Sequence, residues 1–433
     1  MPNAHEDRKG TDYNCSAAAI RLPALSEVAL SSPRPIAEDL NVIRDERFQS
    51  GAAVFNFNQG LIRPPVEWTS LARHWLQEAA AVFEPWTMGR VAGLKQLRGA
   101  VADWRRLLWG EKITSRNVLI TLGANVAWNL VMKTISNEGE QIATTRPYFF
   151  NHHGSIYRNR RVPIFVDLDF GNEIESMQAR YATVLEKDGV RAMLISNPHN
   201  PTGAHFPRPL INEIESRCRK QNKWLVLDES YGASAHCDSD FMSSDEGLNL
   251  SSTILLGSLT KSLSLGDIRV GYVIAHEAVI DRSLGFADDE YICVSQVMQH
   301  VAKRAIENRH LVQEAIADGL ELKRDLLDQA ISNSPFLKLG SGRGAVFGWI
   351  RLPSGMDDFA MAVNLAKQTG VIVTPGSHYG APSHIRIGYG MCRDPLEIGI
   401  AIKHISDYVL AELARTPPVP TSRDDQPHAW GGA

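Results

Sequence analysis

Residues 253–272 of the chain read TILLGSLTKSLSLGDIRVGY. The first five residues form a short apolar run, which is typical of a strand buried on both faces of a sheet. Lys261 follows this run, with Ser258 and Thr260 before it and Arg269 eight residues after it. A lysine in water has a pKa near ~10.4, but desolvation or cationic neighbours lower that value and allow the amine to form a Schiff base with an aldehyde. A single lysine is more often a solvated surface charge, so the rest of the sequence must decide between the two interpretations.

Further apolar runs of the same kind precede this one: VLITL at 118–122, VPIFV at 162–166, AMLI at 192–195 and WLVL at 224–227. Helix-like stretches separate several of these runs. Residues 66–83 carry apolar side chains at steps of three and four, which is the pattern of an amphipathic helix. The alternation predicts an α/β fold, whose large domain has a parallel or mostly parallel central sheet between helices.

The sequence divides into four parts. Residues 1–40 contain several Ser and Pro and no sustained periodicity. The four expected parts are a partly disordered N-terminal segment at 1–49, a large domain at 50–300, a smaller α/β C-terminal domain at 301–415 and a flexible tail at 416–433. Residues 297–330 form one long helical pattern, which Gly319 is expected to bend or end. Gly370 follows a helix-like run, as a C-terminal cap does.

Composition and charge exclude several classes of function. Of the 433 residues, 44% are hydrophobic and 22% are charged, as in an ordinary globular protein. A formal net charge of −4 argues against a surface built to bind nucleic acid. No stretch approaches the ~18 apolar residues of a membrane span. The five cysteines are scattered without a C-x-x-C pair or metal-ligand spacing, so no metal site is expected and a reduced, cytoplasmic compartment is the simplest interpretation.

Two apolar strands end in residues suited to an anion or a ligand. TLGANVAW, at 121–128, is a strand-to-helix turn in which the backbone N–H groups of Gly123, Ala124 and Asn125 could bind a phosphate. A plain turn would have the same sequence. Asp228 ends WLVL, and open α/β sheets place ligand groups at the carboxyl ends of their strands. A helix cap is the alternative for this residue.

An arginine occupies a strand near the end of the chain. HIRIGYG, at 384–390, places Arg386 among apolar residues, where an unpaired charge is costly. Guanidinium offers two parallel donors that match a carboxylate. Arg386 is therefore a candidate for binding a carboxylate, with a structural ion pair as the alternative.

These segments, with RPYFFNH at 146–152, SNPHNPTG at 196–203 and DESYG at 228–232, resemble in order and spacing the fold-type I pyridoxal-phosphate-dependent class I and II aminotransferases. The resemblance extends over roughly residues 55 to 410. It implies that the large domain binds pyridoxal 5'-phosphate, that Lys261 forms a Schiff base with it and later carries a proton, and that the substrate is a small molecule, an α-amino acid. Ser258 and Arg269 would then hold the cofactor phosphate.

The same resemblance implies roles around the cofactor ring. Asp228 would face the pyridine nitrogen and keep it protonated, which makes the ring an electron sink. His152 would support that carboxylate. Tyr231 and Asn200 would contact the phenolic oxygen of the ring. The catalytic residues are thus expected to be Lys261, Asp228 and Tyr231.

Two further positions follow from the resemblance. Phe149 would stack on the cofactor ring, and Tyr148 is a competing candidate for that place. The backbone of Gly60, in FNFNQGLIRPP, would lie near the substrate carboxylate together with Arg386.

One position departs from the family pattern. In MGRVAGLKQLRGAVADW, Met88 replaces the tyrosine that reaches across the family's dimer to the partner's phosphate. Methionine cannot donate a hydrogen bond, so phosphate binding loses this donor or another residue supplies it. The resemblance implies a homodimer, because fold-type I active sites usually lie at a dimer interface, and most closed oligomers are two-fold symmetric in any case.

Three functions are compatible with these residues. The default is an aminotransferase. The first alternative is a lyase of the same fold, performing β-elimination or C–S cleavage, or a decarboxylating or oxidative deaminase on a specialised amino acid. The second is a non-catalytic regulator that binds pyridoxal phosphate, which is disfavoured because Lys261 is present and no DNA-binding region is appended.

Overall fold

A computed structural model describes residues 26, 35–84, 86–109, 113–168, 174–232, 249–340, 342 and 344–415. From Pro35 onward these residues belong to one compact unit. The helices are α1 (Ile36–Gln49), α2 (Val66–Ala81), α3 (Lys95–Trp109), α4 (Ala124–Ile135), α5 (Phe150–Arg158), α6 (Ile174–Leu185), α7 (Arg208–Lys220), α8 (Leu259–Ser262), α9 (Glu277–Tyr291), α10 (Gln296–Glu307), α11 (His310–Ser332), α12 (Asp358–Thr369) and α13 (Leu396–Arg415). The tail predicted at 416–433 lies outside the described residues, as do residues 1–25 and 27–34 of the predicted N-terminal segment.

The strands are β1 (Phe55–Asn56), β2 (Val118–Thr121), β3 (Gln141–Arg146), β4 (Val162–Asp167), β5 (Val190–Ser196), β6 (Trp224–Asp228), β7 (Thr253–Ser258), β8 (Gly271–Ile274), β9 (Lys338–Leu339), β10 (Phe347–Arg351), β11 (Val371–Ile372), β12 (Thr374–Pro375) and β13 (His384–Gly388). All five apolar runs predicted to be strands form strands of one sheet. Two strands of this sheet were not predicted: β3, whose polar residues QIATTR disguise a largely buried strand, and β8.

The central sheet has seven strands in the order β2-β8-β7-β6-β5-β3-β4. Every neighbouring pair is parallel except those that involve β8, which runs antiparallel to both β2 and β7. Every residue of β2, β7 and β8 is buried, as expected for strands covered on both faces. The prediction of an α/β fold with a mostly parallel central sheet is confirmed.

The carboxyl ends of the parallel strands meet at one edge of this sheet. Ser196, the last residue of β5, lies opposite Asp228, the last residue of β6. Asp228 in turn lies opposite Leu256 on β7, two residues before Ser258. Loops that leave these ends therefore start close together, which is where open α/β sheets bind ligands.

The C-terminal part contains a four-stranded antiparallel sheet in the order β12-β13-β10-β9. The long helical pattern at 297–330 is two helices, because α10 ends at Glu307 and α11 begins at His310. The expectation that Gly319 would end the helix is wrong, since α11 continues through it. The buried side chains of Ile316 and Leu320 flank this glycine, and their packing outweighs the roughly 1 kcal/mol by which glycine disfavours a helix.

The cap of α12 and the N-terminal helix α1 complete this fold. Gly370 caps α12 with φ +79°, as predicted. Helix α1 was not predicted, because its apolar positions are few; Ile36, Leu40 and Ile43 pack against Ala366 and Ile372. Strand β1 pairs in parallel with β11, so the segment before residue 57 joins the C-terminal part.

The boundary between a large domain at 50–300 and a small one at 301–415 stays a prediction. Among the helices formed by the described residues, none is long and apolar enough to cross a membrane.

Candidate active site

A cleft of about 410 Å³ opens where β5, β6 and β7 end. Ser196, Asp228 and Ser258, the last residues of these strands, all line it. The cleft brings together most of the predicted site residues: Gly60, Ala124, Asn125, Phe149, Asn200, Asp228, Tyr231, Ser258, Lys261, Arg269 and Arg386. Gly123 and His152 do not line the cleft themselves, but each contacts a residue that does.

Lys261 lies on the short helix α8, directly after β7. Its Nζ lies 5.8 Å from the centroid of the Tyr231 ring. Burial lowers the pKa of Lys261 to about 7, and the positive charges of Arg386 and Arg269 act in the same direction. A large share of this amine is therefore unprotonated near neutral pH, which is the condition for a nucleophilic lysine.

Asp228 and His152 form a buried pair. His152 Nε2 lies 3.0 Å from Asp228 Oδ2. Ser230 donates to Asp228 Oδ1 from its backbone nitrogen at 2.9 Å and from its hydroxyl at 2.6 Å. Burial acts to raise the pKa of Asp228, but the hydrogen bonds and charge of His152 and the two bonds from Ser230 outweigh it, so the pKa lies below its ordinary value. A carboxylate is thus maintained inside the protein, facing the cleft.

A second buried histidine lies behind this pair. His199, the fourth residue of SNPHNPTG, is bonded at Nε2 to the Thr145 hydroxyl at 2.9 Å and at Nδ1 to the Thr202 hydroxyl at 2.7 Å. Burial lowers the pKa of His199 to about 3, and the nearby His152 adds to the effect. His199 is therefore neutral at physiological pH, so it adds no positive charge near His152.

One end of the cleft suits a phosphate. Gly123 precedes α4 with φ +84°, and a Cβ at this position would lie 2.8 Å from Nη2 of Arg269. Arg269 itself has a left-handed backbone, with φ +53°, and donates from Nη1 to the hydroxyl of Thr260 at 3.1 Å. The glycine thus lets the first amides of α4 and a guanidinium approach each other closely. Such a pairing favours an anion.

The opposite end holds Arg386, whose side chain is 5% exposed. Its Nη1 donates to Asn200 Oδ1 at 2.9 Å, and its Nη2 donates to the carbonyl oxygen of Asn58 at 2.6 Å. The guanidinium carbon lies 4.4 Å from the centroid of the Phe347 ring and 5.2 Å from that of Tyr379. No acidic partner is recorded for Arg386 among the described residues, and its buried Nε has no hydrogen-bond partner there. This pattern favours an anion-binding residue over a structural ion pair.

Tyr231 lies between these two ends. Its hydroxyl donates to the carbonyl oxygen of Gly60 at 2.8 Å, and burial raises its pKa. A side chain at Gly60 would come within 2.7 Å of the Phe347 ring. Gly60 is therefore required at this position, because only glycine allows its backbone to approach both aromatic rings.

The structure separates the two candidates for ring stacking. Phe149 lines the cleft and has its ring centroid 5.0 Å from that of His152. Tyr148 stacks on His153 at 4.4 Å and on Phe165 at 5.5 Å instead. Tyr148 is thus engaged away from the cleft, and of the two candidates only Phe149 lines it.

The family follows from a match over most of the chain. Residues 66–405 match the family model described as aminotransferase class I and II. The chain belongs to this family. Its members depend on pyridoxal phosphate, so the protein is a pyridoxal-phosphate-dependent aminotransferase, an enzyme of the transferase class.

Proteins similar in sequence include aminotransferases that are named for different substrates. The chain is 27% identical over 313 residues to an aromatic aminotransferase of Arabidopsis thaliana, covering 69% of this chain and 76% of that protein. It is 27% identical over 318 residues to an arginine–pyruvate transaminase of Pseudomonas aeruginosa, covering 71% and 78%.

Solved structures show the same fold at lower identity. An archaeal alanine:glyoxylate aminotransferase superposes with a TM-score of 0.79 at 19% identity, covering 90% of this chain and 98% of that one. Aspartate aminotransferase of Thermus thermophilus with maleate gives 0.77 at 19% identity, covering 89% and 100%.

Two contributors to the aminotransferase cleft were not singled out in the sequence analysis. Ser230 supports Asp228 with two hydrogen bonds, and the carbonyl group of Asn58 orients Arg386. Ser230 could have been found, since it lies between two candidate residues of DESYG. Asn58 could not, because its contact is made by a backbone carbonyl group far away in sequence. No group of three or more His, Cys, Asp or Glu in the described part of the aminotransferase could hold a metal ion.

Proposed function

We propose that this aminotransferase holds pyridoxal phosphate in the cleft described above and uses it to transfer the amino group of an α-amino acid, with Lys261 as the covalent anchor of the cofactor and the carrier of the proton. The observation that carries the proposal is the convergence of three groups in one cleft. They are the amine of Lys261 with its pKa of about 7, the buried carboxylate of Asp228 and the guanidinium of Arg386.

The residues present fit the cofactor. The amides at the start of α4 and the guanidinium of Arg269 flank Gly123, where a side chain would fill the space between them. The hydroxyl groups of Ser258 and Thr260 line the same region. We assign the cofactor phosphate to these groups, with the backbones of Gly123, Ala124 and Asn125 as donors.

When bound, pyridoxal phosphate supplies an electron sink for the bonding pair released at the substrate Cα. Asp228 would hold a proton at the pyridine nitrogen, and His152 would keep Asp228 ionised and oriented. Asn200 would donate to the phenolic oxygen from its amide nitrogen, Tyr231 would do so once its hydroxyl turns away from the carbonyl oxygen of Gly60, and Phe149 would pack on the ring. Asn200 already contacts Arg386, so the ring and the substrate sites share this residue.

Lys261 would act twice. Its unprotonated Nζ would be the nucleophile that holds the cofactor covalently. Once the substrate amine has displaced it, the free Nζ would accept the proton of the substrate Cα and later donate it again. A pKa near 7 suits both tasks, because a general base is most effective when its pKa lies close to the working pH.

Arg386 would bind the α-carboxylate of the substrate. Its Nη1 and Nη2 each have one N–H bonded to the protein, which fixes the plane of the guanidinium. Its Nε and the remaining N–H groups can then meet two carboxylate oxygens. The backbone of Gly60 lies beside this position through its contact with Tyr231.

We infer a homodimer from an exposed apolar segment. Val82, Phe83, Trp86 and Met88 are 70%, 50%, 81% and 76% exposed. Side chains of this kind in one short segment mark a surface that another protein covers. A second copy would bury them, and Met88 would face the partner's site. We also propose a cytoplasmic location, because Cys218, Cys293 and Cys392 are free thiols and the cysteines are scattered along the chain.

The direct test is reconstitution followed by substrate profiling. The purified protein is mixed with pyridoxal phosphate and a panel of amino acids with an excess of a 2-oxo acid. Keto acid, ammonia and carbon dioxide are then quantified. Formation of a new keto acid matched by a new amino acid, with neither ammonia nor carbon dioxide, is the expected result. Ammonia or carbon dioxide as the main product would favour the lyase or decarboxylase alternatives, which nothing in the comparisons supports.

A further inference from the structure

A buried ion pair lies behind the turn that carries Asp228 and Tyr231. Glu229 Oε2 accepts a hydrogen bond from Nη2 of Arg105, and both side chains are only 1% exposed. The same oxygen accepts a bond from Nε1 of Trp109 at 3.0 Å. Arg105 and Trp109 lie four residues apart on α3, hence on one face of that helix. Glu229 does not line the cleft, so this pair is separate from the cofactor site itself.

The two donors are themselves fixed by packing. Arg208, on α7, places its guanidinium carbon 3.8 Å from the centroid of the Trp109 ring. Arg105 lies beside the ring of Trp104, with 5.6 Å between its guanidinium carbon and the ring centroid. Cations over indole rings hold both partners in place. The orientation of the Trp109 N–H toward Glu229 therefore does not depend on Glu229 alone.

Glu229 is in turn tied to the functional residues beside it. Its backbone nitrogen donates to the carbonyl oxygen of Leu256 on β7 at 2.9 Å, and its carbonyl oxygen accepts from Gly232 at 2.9 Å. Asp228 precedes it, and Ser230, which bonds to Asp228 twice, follows it. A shift of the Glu229 side chain would accordingly move the turn that aims Asp228 and Tyr231 into the cleft.

We propose that Arg105 and Trp109 are positioning residues for catalysis, which hold Glu229 and thereby fix the turn that presents Asp228 and Tyr231 to the cofactor. The inference rests on the proposed function of the cleft. A buried ion pair contributes little net stability compared with apolar packing, but removal of one partner leaves an uncompensated charge. The pair between Arg105 and Glu229 is therefore expected to fix the geometry of the turn rather than to add to the stability of the fold.

Trp109→Phe is the main test, because it removes one donor to Glu229 and keeps an aromatic ring under Arg208. Loss of one hydrogen bond to a charged group is expected to lower kcat roughly tenfold or more, with KM changed less than threefold. Two further readouts are independent of turnover: hydrogen exchange of residues 228–232 in the cofactor-free protein, and the pH at which the visible band of the bound cofactor titrates. In Trp109→Phe, hydrogen exchange of residues 228–232 is expected to accelerate, and the midpoint pH of the cofactor band is expected to shift. Glu78→Gln is the matched control, since it breaks the Glu78–Arg304 pair between α2 and α10, away from the cleft.

A double-mutant comparison tests the route through Glu229. Arg105→Met alone should lower kcat more than Arg105→Met combined with Glu229→Gln, since the double variant leaves no unpaired charge. Additive losses would overturn the proposal, as would a Trp109→Phe protein with a lower Tm but wild-type exchange, titration and kcat at a temperature well below that Tm. If the wild-type protein binds no cofactor, the proposed function fails, whereas hydrogen exchange of the cofactor-free protein still tests the positioning of the turn.

Discussion

The imidazole of His152 lies 3.0 Å from the carboxylate of Asp228, and these side chains are only 3% and 6% exposed. This pair lies at the carboxyl end of β6, with the Phe149 ring nearly perpendicular to that of His152. A buried carboxylate without a donor would take up a proton. The pair thus explains how an acidic group stays ionised at the centre of the cleft.

Loss of Asp228 should remove most activity and leave the fold. Asp228→Asn has nearly the same shape but carries no charge, so we expect kcat to fall at least a hundredfold while cofactor still binds. The kcat of His152→Ala should be about tenfold lower than that of the wild type, which corresponds to the loss of one hydrogen bond to a charged group. Steady-state kinetics and cofactor absorbance measure both effects. Asp167→Asn, which breaks a surface pair with Arg146, is the control. Wild-type kcat in Asp228→Asn would rule out the assigned role.

Lys261→Ala should abolish the covalent attachment of the cofactor. The protein is expected to fold, because the substitution removes a charge whose burial is unfavourable. After borohydride reduction and digestion, wild-type protein should carry the cofactor on the peptide that contains Lys261, and the variant should carry none. A reducible adduct that persists on the variant at a different lysine would show that the wrong residue has been assigned.

The pKa of Lys261 predicts a pH profile for cofactor attachment. Its value of about 7 means that the reactive, neutral amine should increase about tenfold per pH unit below 7 and level off above about 8. An ordinary lysine would continue to gain up to about pH 10. Stopped-flow absorbance after mixing cofactor-free protein with pyridoxal phosphate gives this rate. A rate that still rises steeply from pH 8 to pH 10 would contradict the lowered pKa.

The same shift predicts how stability changes with pH. Between about pH 7 and pH 10.5 the lysine is neutral in the folded protein and protonated in the unfolded chain. The unfolded state binds more protons in this window, so the cofactor-free protein should gain stability as the pH rises through it. Lys261→Met should lack this contribution. Urea denaturation of both proteins at several pH values measures the difference, and parallel profiles for the two would contradict the assignment.

The sequence could predict what is local along the chain. The strand ends at Asp228 and Ser258, the turn at Gly123 and the buried Arg386 all follow from short segments whose chemistry is visible without a structure. The hydrogen bonds that Arg105 and Trp109 donate to Glu229 could not be predicted, because Arg105 lies 124 residues earlier and nothing in its helix marks it as buried. The end of the helix at 307 was equally hidden, since no glycine or proline marks it and Gly319 is the more obvious candidate.

Arg386 offers the sharpest test of the substrate class. Two of its N–H groups are bonded to Asn200 and to the carbonyl oxygen of Asn58, and its Nε is buried without a hydrogen-bond partner among the described residues. Arg386→Lys keeps the charge but loses the fork that matches a carboxylate, so kcat/KM for an amino acid should fall by about ten- to a hundredfold. The loss should be much smaller for the corresponding amine, which has no carboxylate. Asn200→Ala should weaken the amino acid reaction in the same direction, because it frees one side of the guanidinium. Equal losses for the amino acid and the amine would mean that Arg386 supports the fold or the cofactor rather than the substrate.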